Sequence, residues 1–179
     1  VECIWVQGLA CRTLKIRKLE KGEDFHGIYD ALKSYAEISD NDIIVVENEC
    51  PDYAYFGELN TMLSIRSGAS ATIVGGVTRD RDNVMKMNYP VFSKGYNCKD
   101  VRKRATLANF NRTINVLGVT ISPSDLIFAD NDGVVVIPVA YENKIMKAII
   151  EKIGMENNVA SEIARYSNPL DIVEKIGEF

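Results

Sequence analysis

Histidine is almost missing from this sequence. His26 is the only one, which excludes a metal centre built from several imidazoles. Acid–base chemistry by histidine would rest on that one residue, in Phe25-His26-Gly27-Ile28, where a helix start is an equally good use for it. Cysteine is scarce and scattered. Cys3, Cys11, Cys50 and Cys98 form neither a CxxC nor a Cys/His pair at zinc spacing, so reduced thiols are the expectation. No apolar run approaches membrane-spanning length and no signal-peptide pattern opens the sequence, so no membrane partner and a cytoplasmic location are expected. Basic charge is short as well: the formal net charge is -4. Without a basic stripe interleaved with aromatics, a direct nucleic-acid partner is not expected, and Lys99, Arg102, Lys103 and Arg104 read as a solvated face. No repeat, low-complexity tract or interdomain linker appears. With 46% hydrophobic and 26% charged residues, the composition fits one globular domain over 1–179 with one sizeable core.

The informative stretch runs from Gly57 to Asp80. Leu59, Met62, Leu63 and Ile65 approximate a helical period, Gly68 reads as a C-terminal cap, and Ala71 to Val74 is a short apolar run ended by glycines. Ahead of it, Asp42-Ile43-Ile44-Val45-Val46-Glu47 has the pattern of a buried strand. A strand–loop–helix–strand crossover opens both loops and the helix N-terminus on one sheet edge, which brings Glu58 towards Arg79 and Asp80. An anion site beside a cation site follows. Backbone N–H groups around Leu59 and Asn60 suit a small carboxylate, Arg79 adds a planar clamp, and Asp80 and Glu58 offer hard oxygens to a divalent ion such as Mg²⁺. Together these suit a 2-oxo acid. The plainer alternative is an Arg–Asp pair on a loop, with Glu58 merely favourable at a helix start.

The ordered set Gly57-Glu58-Leu59, Gly75-Gly76-x-x-Arg79-Asp80, Pro90-Val91-Phe92 with Gly95, Pro123-x-Asp125-Leu126 and Ala129-Asp130-x-Asp132-Gly133-Val134-Val135-Val136-Ile137-Pro138 resembles the RraA-like family. That family includes 4-hydroxy-4-methyl-2-oxoglutarate aldolases and regulators of ribonuclease E activity. The resemblance implies an α/β fold of the swivelling β/β/α type, with mixed parallel and antiparallel sheets layered by helices, and a homotrimer or hexamer with its active site at a subunit interface. It also implies metal-dependent cleavage of a 4-hydroxy-2-oxo acid to pyruvate, with oxaloacetate decarboxylation as a side activity. In that scheme Asp80 holds Mg²⁺ or Mn²⁺, Arg79 and Glu58 are catalytic, and Gly57, Leu59, Asn60 and Arg79 bind the substrate. Glu156 aligns with a glutamate that reaches a neighbouring subunit's site, an exposed helix charge being the alternative. Two departures stand out: Ser124 where the family usually has Gly, and Gly75 where it often has an acid. The family's N-terminal helical region and an initiator Met have no counterpart, so a module of a longer protein, acting on a sugar-derived 2-oxo acid, is carried as an alternative. A non-catalytic, ribonuclease E inhibitor-like regulator is the other.

Elsewhere, the sequence predicts a helix over Gly27–Tyr35 and a turn at Ser39–Asp42. The aromatic loop Asn48–Phe56 is expected either to wall the site or to tuck its rings into the core. Strands are expected over Val116–Ile121 and Leu126–Ala129, followed by a hairpin turn at Asp132-Gly133. Helices are expected over Tyr141–Ile153 and Met155–Arg165, and a last one follows Asn168-Pro169.

Overall fold

The structure, a computed structural model, describes residues 6–8, 10–165 and 168–176. It falls into two compact units, Val1–Val139 and Ala140–Phe179. In chain order the first carries β1 (Val6–Gly8), β2 (Cys11–Lys18), a 3₁₀ segment (Phe25–Glu37), β3 (Ile43–Asn48), α1 (Glu58–Arg66), β4 (Ala71–Thr78), α2 (Arg81–Lys86), β5 (Val91–Tyr96), β6 (Ala105–Phe110), β7 (Ile114–Val116), β8 (Val119–Ile121), β9 (Leu126–Ala129) and β10 (Val134–Ile137). The central sheet has the order β5-β4-β3-β2-β6, parallel from β2 to β5 with β6 antiparallel at one edge. A second sheet, β1-β9-β10, and the hairpin β7-β8 are antiparallel.

Alternation along β3 splits the core in two. Ile44 and Val46 face one cluster with Leu14, Ile16, Tyr55, Phe56 and Tyr89, whereas Ile43 and Val45 face another with Cys11, Ile73, Val116 and Ile127. A parallel sheet covered on both faces needs such near-continuous apolar strands. The rings of Tyr55 and Phe56 are buried, so the aromatic loop Asn48–Phe56 resolves to the core alternative. Asp130 Oδ1 accepts the amides of Asp132 and Gly133 at the predicted β9–β10 turn.

Two expectations change. Residues Val116–Ile121 are not one strand: Leu117 (φ 53°) and Gly118 (φ 88°) form a two-residue turn between β7 and β8, the geometry whose twist matches a hairpin. The helix break expected near Gly154 is absent, because α3 (Glu142–Arg165) runs through it; one helical glycine costs about 1 kcal/mol, too little to end a long helix. The second unit adds α4 (Pro169–Ile176), started by Asn168, whose Oδ1 accepts the Leu170 amide. The helical period read at Leu59, Met62, Leu63 and Ile65 did not say which face of α1 is buried: Leu59, Met62 and Ile65 are 73%, 53% and 44% exposed, and Thr61 and Ser64 are fully buried. Small side chains let the helix approach the sheet closely, and their hydroxyls are satisfied by Gly57 O and Asn60 O four residues back.

Under α1 lie the buried Tyr55 and Tyr89 and the partly buried Tyr35. Tyr35 OH donates to Asn60 O, Asn60 Nδ2 donates to Tyr55 O, and Tyr89 OH pairs with Thr72 Oγ1 at 2.9 Å. Burial pushes all three phenols above their ordinary value, Tyr89 to about 12. Above pH 10 the unfolded phenols ionise first, so the native state holds more protons and stability falls with pH. The urea midpoint should therefore decline from about pH 10 towards 12, a fall that starts nearer pH 9 because the buried Cys11 thiol, pushed up to about 11, acts in the same sense. A midpoint level across that range would show that these hydroxyls ionise freely in the fold.

Candidate active site

The crossover β3–α1–β4 places three chain segments at the carboxyl edge of the central sheet. These are the loop after β3 ending at Gly57, the start of α1, and the turn after β4 at Arg79-Asp80. The backbone stitches them together, with Arg79 N donating to Phe56 O and Val77 N to Pro51 O. Asp80 sits in the left-handed region (φ 59°) as it leads into α2, a conformation that Asp tolerates better than most residues.

The predicted residues do meet here. The Glu58 amide donates to Asp80 Oδ2 at 3.0 Å, so Asp80 takes one orphan donor of the first turn of α1. Thr61 N already bonds Gly57 O, which leaves the amides of Leu59 and Asn60 as the uncommitted donors of that turn among the described residues. The Asn60 side chain is committed to Tyr55 O. Gly57 must be glycine for reasons of space: a Cβ there would lie 2.5 Å from Asp80 Oδ2 and 2.8 Å from Arg79 Cγ. Arg79 thus lies directly across the helix start.

Two partners were not foreseen. Arg79 Nη1 donates to Asp100 Oδ2 at 2.6 Å, and Asn83 Nδ2 donates to Glu58 Oε2 at 2.9 Å. Arg79 Nε is 3.5 Å from Asp80 Oδ2. Each two-pronged edge of the guanidinium pairs Nη2 with Nε or with Nη1; Nη1 is hydrogen-bonded, Nε has only the longer ionic contact, and Nη2 has no partner among the described residues. The only sequence cue to Asp100 is that it stands as a single acid within the basic run Lys99–Arg104.

Glu156 lies exposed on α3 in the second unit. His26 is on the surface, its Nδ1 against Asp24. Gly75 is packed tightly: a Cβ there would lie 3.1 Å from both Val116 Cγ1 and Val46 O, so an acidic side chain has no room unless the β7–β8 hairpin shifts. Ser124 keeps the positive φ (74°) that glycine would supply. A wide cleft elsewhere in the first unit is lined by Val91, Phe92, Leu117, Val119, Asp132 and Val134. It is largely apolar, and the chemistry is concentrated instead at the start of α1.

Among the described residues no group of three or more His, Cys, Asp or Glu side chains converges on a metal position. The donor set fits a hard ion that keeps most of its waters. Asp80 Oδ1 and Glu58 Oε1 have no partner among the described residues, and Mg²⁺ characteristically takes one or two carboxylates beside water and substrate oxygens.

A family model described as RraA-like, Aldolase/RraA, matches residues 10–136. The chain belongs to the RraA-like family. This RraA-like chain is 35% identical over 120 residues to Protein DlpA of Legionella pneumophila, a match covering 66% of the chain and 19% of that protein. It is 32% identical over 123 residues to a Halalkalibacterium halodurans protein named "Putative 4-hydroxy-4-methyl-2-oxoglutarate aldolase", covering 68% of the chain and 58% of that protein. It thus spans under two thirds of either relative. Among solved structures, Streptomyces coelicolor RraAS2, titled an unusual member of the RNase ES inhibitor RraA protein family, superposes with a TM-score of 0.72 at 23% identity, covering 86% of this chain and 75% of that one. That likeness establishes the α/β fold with its mixed sheet. The RraA-like family therefore takes in proteins named as aldolases and proteins named as inhibitors, and no described helix of this member is long and apolar enough to cross a membrane.

Proposed function

We propose that this RraA-like chain is a divalent-metal-dependent carbon–carbon lyase that cleaves a 4-hydroxy-2-oxo acid to pyruvate and a second carbonyl compound, and decarboxylates oxaloacetate as a side reaction. The observation that carries this is the convergence of Arg79, Asp80 and Glu58 on the free amides of α1. The name of the H. halodurans relative supports it. Mg²⁺ or Mn²⁺, held by Asp80, would supply Lewis-acid charge at the 2-oxo group.

The chain's own groups do the rest. The amides of Leu59 and Asn60 take the substrate's C1 carboxylate at the positive end of the helix. Arg79 presents Nη2 to the C2 oxygen, where negative charge gathers as the C3–C4 bond breaks and its electron pair moves into the pyruvate enolate. Glu58, with one oxygen fixed by Asn83, receives the proton of the 4-hydroxyl, directly or through one water, and returns a proton to C3. Loss of CO₂ from oxaloacetate leaves the same enolate, hence the side reaction. Glu156 is assigned to the site of a neighbouring subunit in a homotrimer or hexamer.

Glu58→Gln keeps the size and loses the basicity. Pyruvate release from a 4-hydroxy-2-oxo acid should fall by ~10²-fold or more, and by less from oxaloacetate, which has no 4-hydroxyl proton to remove, with a stability loss of at most ~1 kcal/mol from the helix start. Activity of the wild type should vanish in EDTA and return with Mg²⁺. A normal rate in the variant removes Glu58 from the mechanism, and a rate indifferent to EDTA refutes the metal dependence. The exposed apolar side of α1, Leu59, Met62 and Ile65, favours a second reading as a protein-binding regulator. A wild type with no pyruvate release and a partner on that face would establish it.

A further inference from the structure

We infer that Asp100 is a positioning residue for Arg79, holding the guanidinium so that one prong faces the reacting oxygen. This rests on the lyase reading. The contact is charge-assisted and short, 2.6 Å from Arg79 Nη1 to Asp100 Oδ2, and it bridges 21 positions of sequence.

Asp100 is itself held. Its other oxygen accepts the Arg102 amide at 2.6 Å. The backbone on both sides is tied to the loop that precedes Gly57, with Ala54 N donating to Lys99 O and Val101 N to Ala54 O. Ala54 and Val101 are buried, which anchors the segment although the Asp100 side chain is 48% exposed. One step earlier, Asn97 N donates to Thr78 O and Asn97 Nδ2 to Asp52 O. The segment carrying Asp100 is therefore sewn to both loops that make the site.

The consequence for Arg79 is a three-point restraint: Gly57 beneath Cγ, Asp80 beside Nε and Asp100 on Nη1. A long side chain that is only partly buried, as Arg79 is, otherwise samples several rotamers, and fixing it in advance removes that ordering cost from the chemical step. Asp100 also places a second negative charge beside Arg79, which disfavours binding an anionic substrate. Positioning and charge thus pull kcat and KM in opposite senses.

The test is Asp100→Asn in the full chain, assayed with oxaloacetate and Mg²⁺ and repeated in an Arg79→Lys background. The expected result is a kcat lower by ~10- to 100-fold, a KM unchanged or lower, and an unchanged melting temperature. Asp100→Glu should recover part of the loss. On Arg79→Lys the second substitution should add less than about twofold, because its effect passes through the guanidinium. A near-normal kcat, or an undiminished further loss on Arg79→Lys, overturns the inference. If the wild type releases no pyruvate, the lyase reading fails, and the deciding measurement is then the Arg79 Nε–H signal in ¹⁵N NMR. Broadening or averaging of that signal in Asp100→Asn supports the restraint, and an unchanged signal overturns it.

Discussion

Asp80→Asn is expected to erase the divalent-ion dependence of turnover and to lower kcat by about 10³-fold, the scale of a few kcal/mol of transition-state stabilisation. The fold should survive. An amide oxygen can still accept the Glu58 N–H that Asp80 Oδ2 now accepts at 3.0 Å, and Asn tolerates the left-handed backbone at this position (φ 59°) as well as Asp does. Replacing a charged acceptor by a neutral one costs about 1 kcal/mol, a fall of about 2–4 °C in Tm for a chain of this size. The measurement is pyruvate release against Mg²⁺ concentration, beside a thermal melt. A saturable Mg²⁺ response like that of the wild type, in a variant of normal stability, would refute the assignment of Asp80 to the ion.

The second large effect is Arg79→Lys. An ammonium keeps the charge but not the geometry: it is one point, whereas the guanidinium spans Asp80 on Nε and Asp100 on Nη1 and still has Nη2 to spare. A lysine can satisfy one of these carboxylates, and the oxyanion then competes with them for a single head group. Transition-state stabilisation should drop by about 2–4 kcal/mol, the usual loss when one oxyanion donor is removed. The loss should appear in kcat more than in KM, since the helix amides of Leu59 and Asn60 still receive the carboxylate. A kcat close to wild type would show that charge alone suffices and that the planar fork has no part in the reaction.

The unit β3–α1–β4 was legible in the sequence because its signals are local. The buried-strand run Ile43–Val46 and the apolar run Ala71–Val74 form adjacent parallel strands. Gly68 ends α1 at φ 86°, with its amide on Ile65 O and that of Ala69 on Ser64 O. Crossover geometry then dictates that Glu58, Arg79 and Asp80 share one edge. The inward face of α1 was not legible. Leu59, Met62 and Ile65 mark a helical period, but period alone says that a stripe exists and not which stripe meets the sheet. Buried tyrosines beneath α1 leave room only for Thr61 and Ser64. The hairpin turn at Leu117-Gly118 was missed for a related reason. A leucine at positive φ is costly and poorly marked by propensity, and it persists because Ile114, Val116 and Ile121 are buried against the sheet.

By itself, then, the sequence determined the order of strands and helices around the site, the turn chemistry at Gly68 and Asp132-Gly133, and the family, because each depends on residues a few positions apart or on motifs in a given order. The tertiary structure alone decided that Arg79 is shared between Asp80 and Asp100, that Gly57 is squeezed beneath Arg79, that Gly75 has no room for an acid and that α1 turns its hydroxyls inward. Each of these depends on which side chains meet across ~20 residues or more of chain, and such meetings are set by sheet register and by the volume left between layers. Neither quantity is written in any local run of residues.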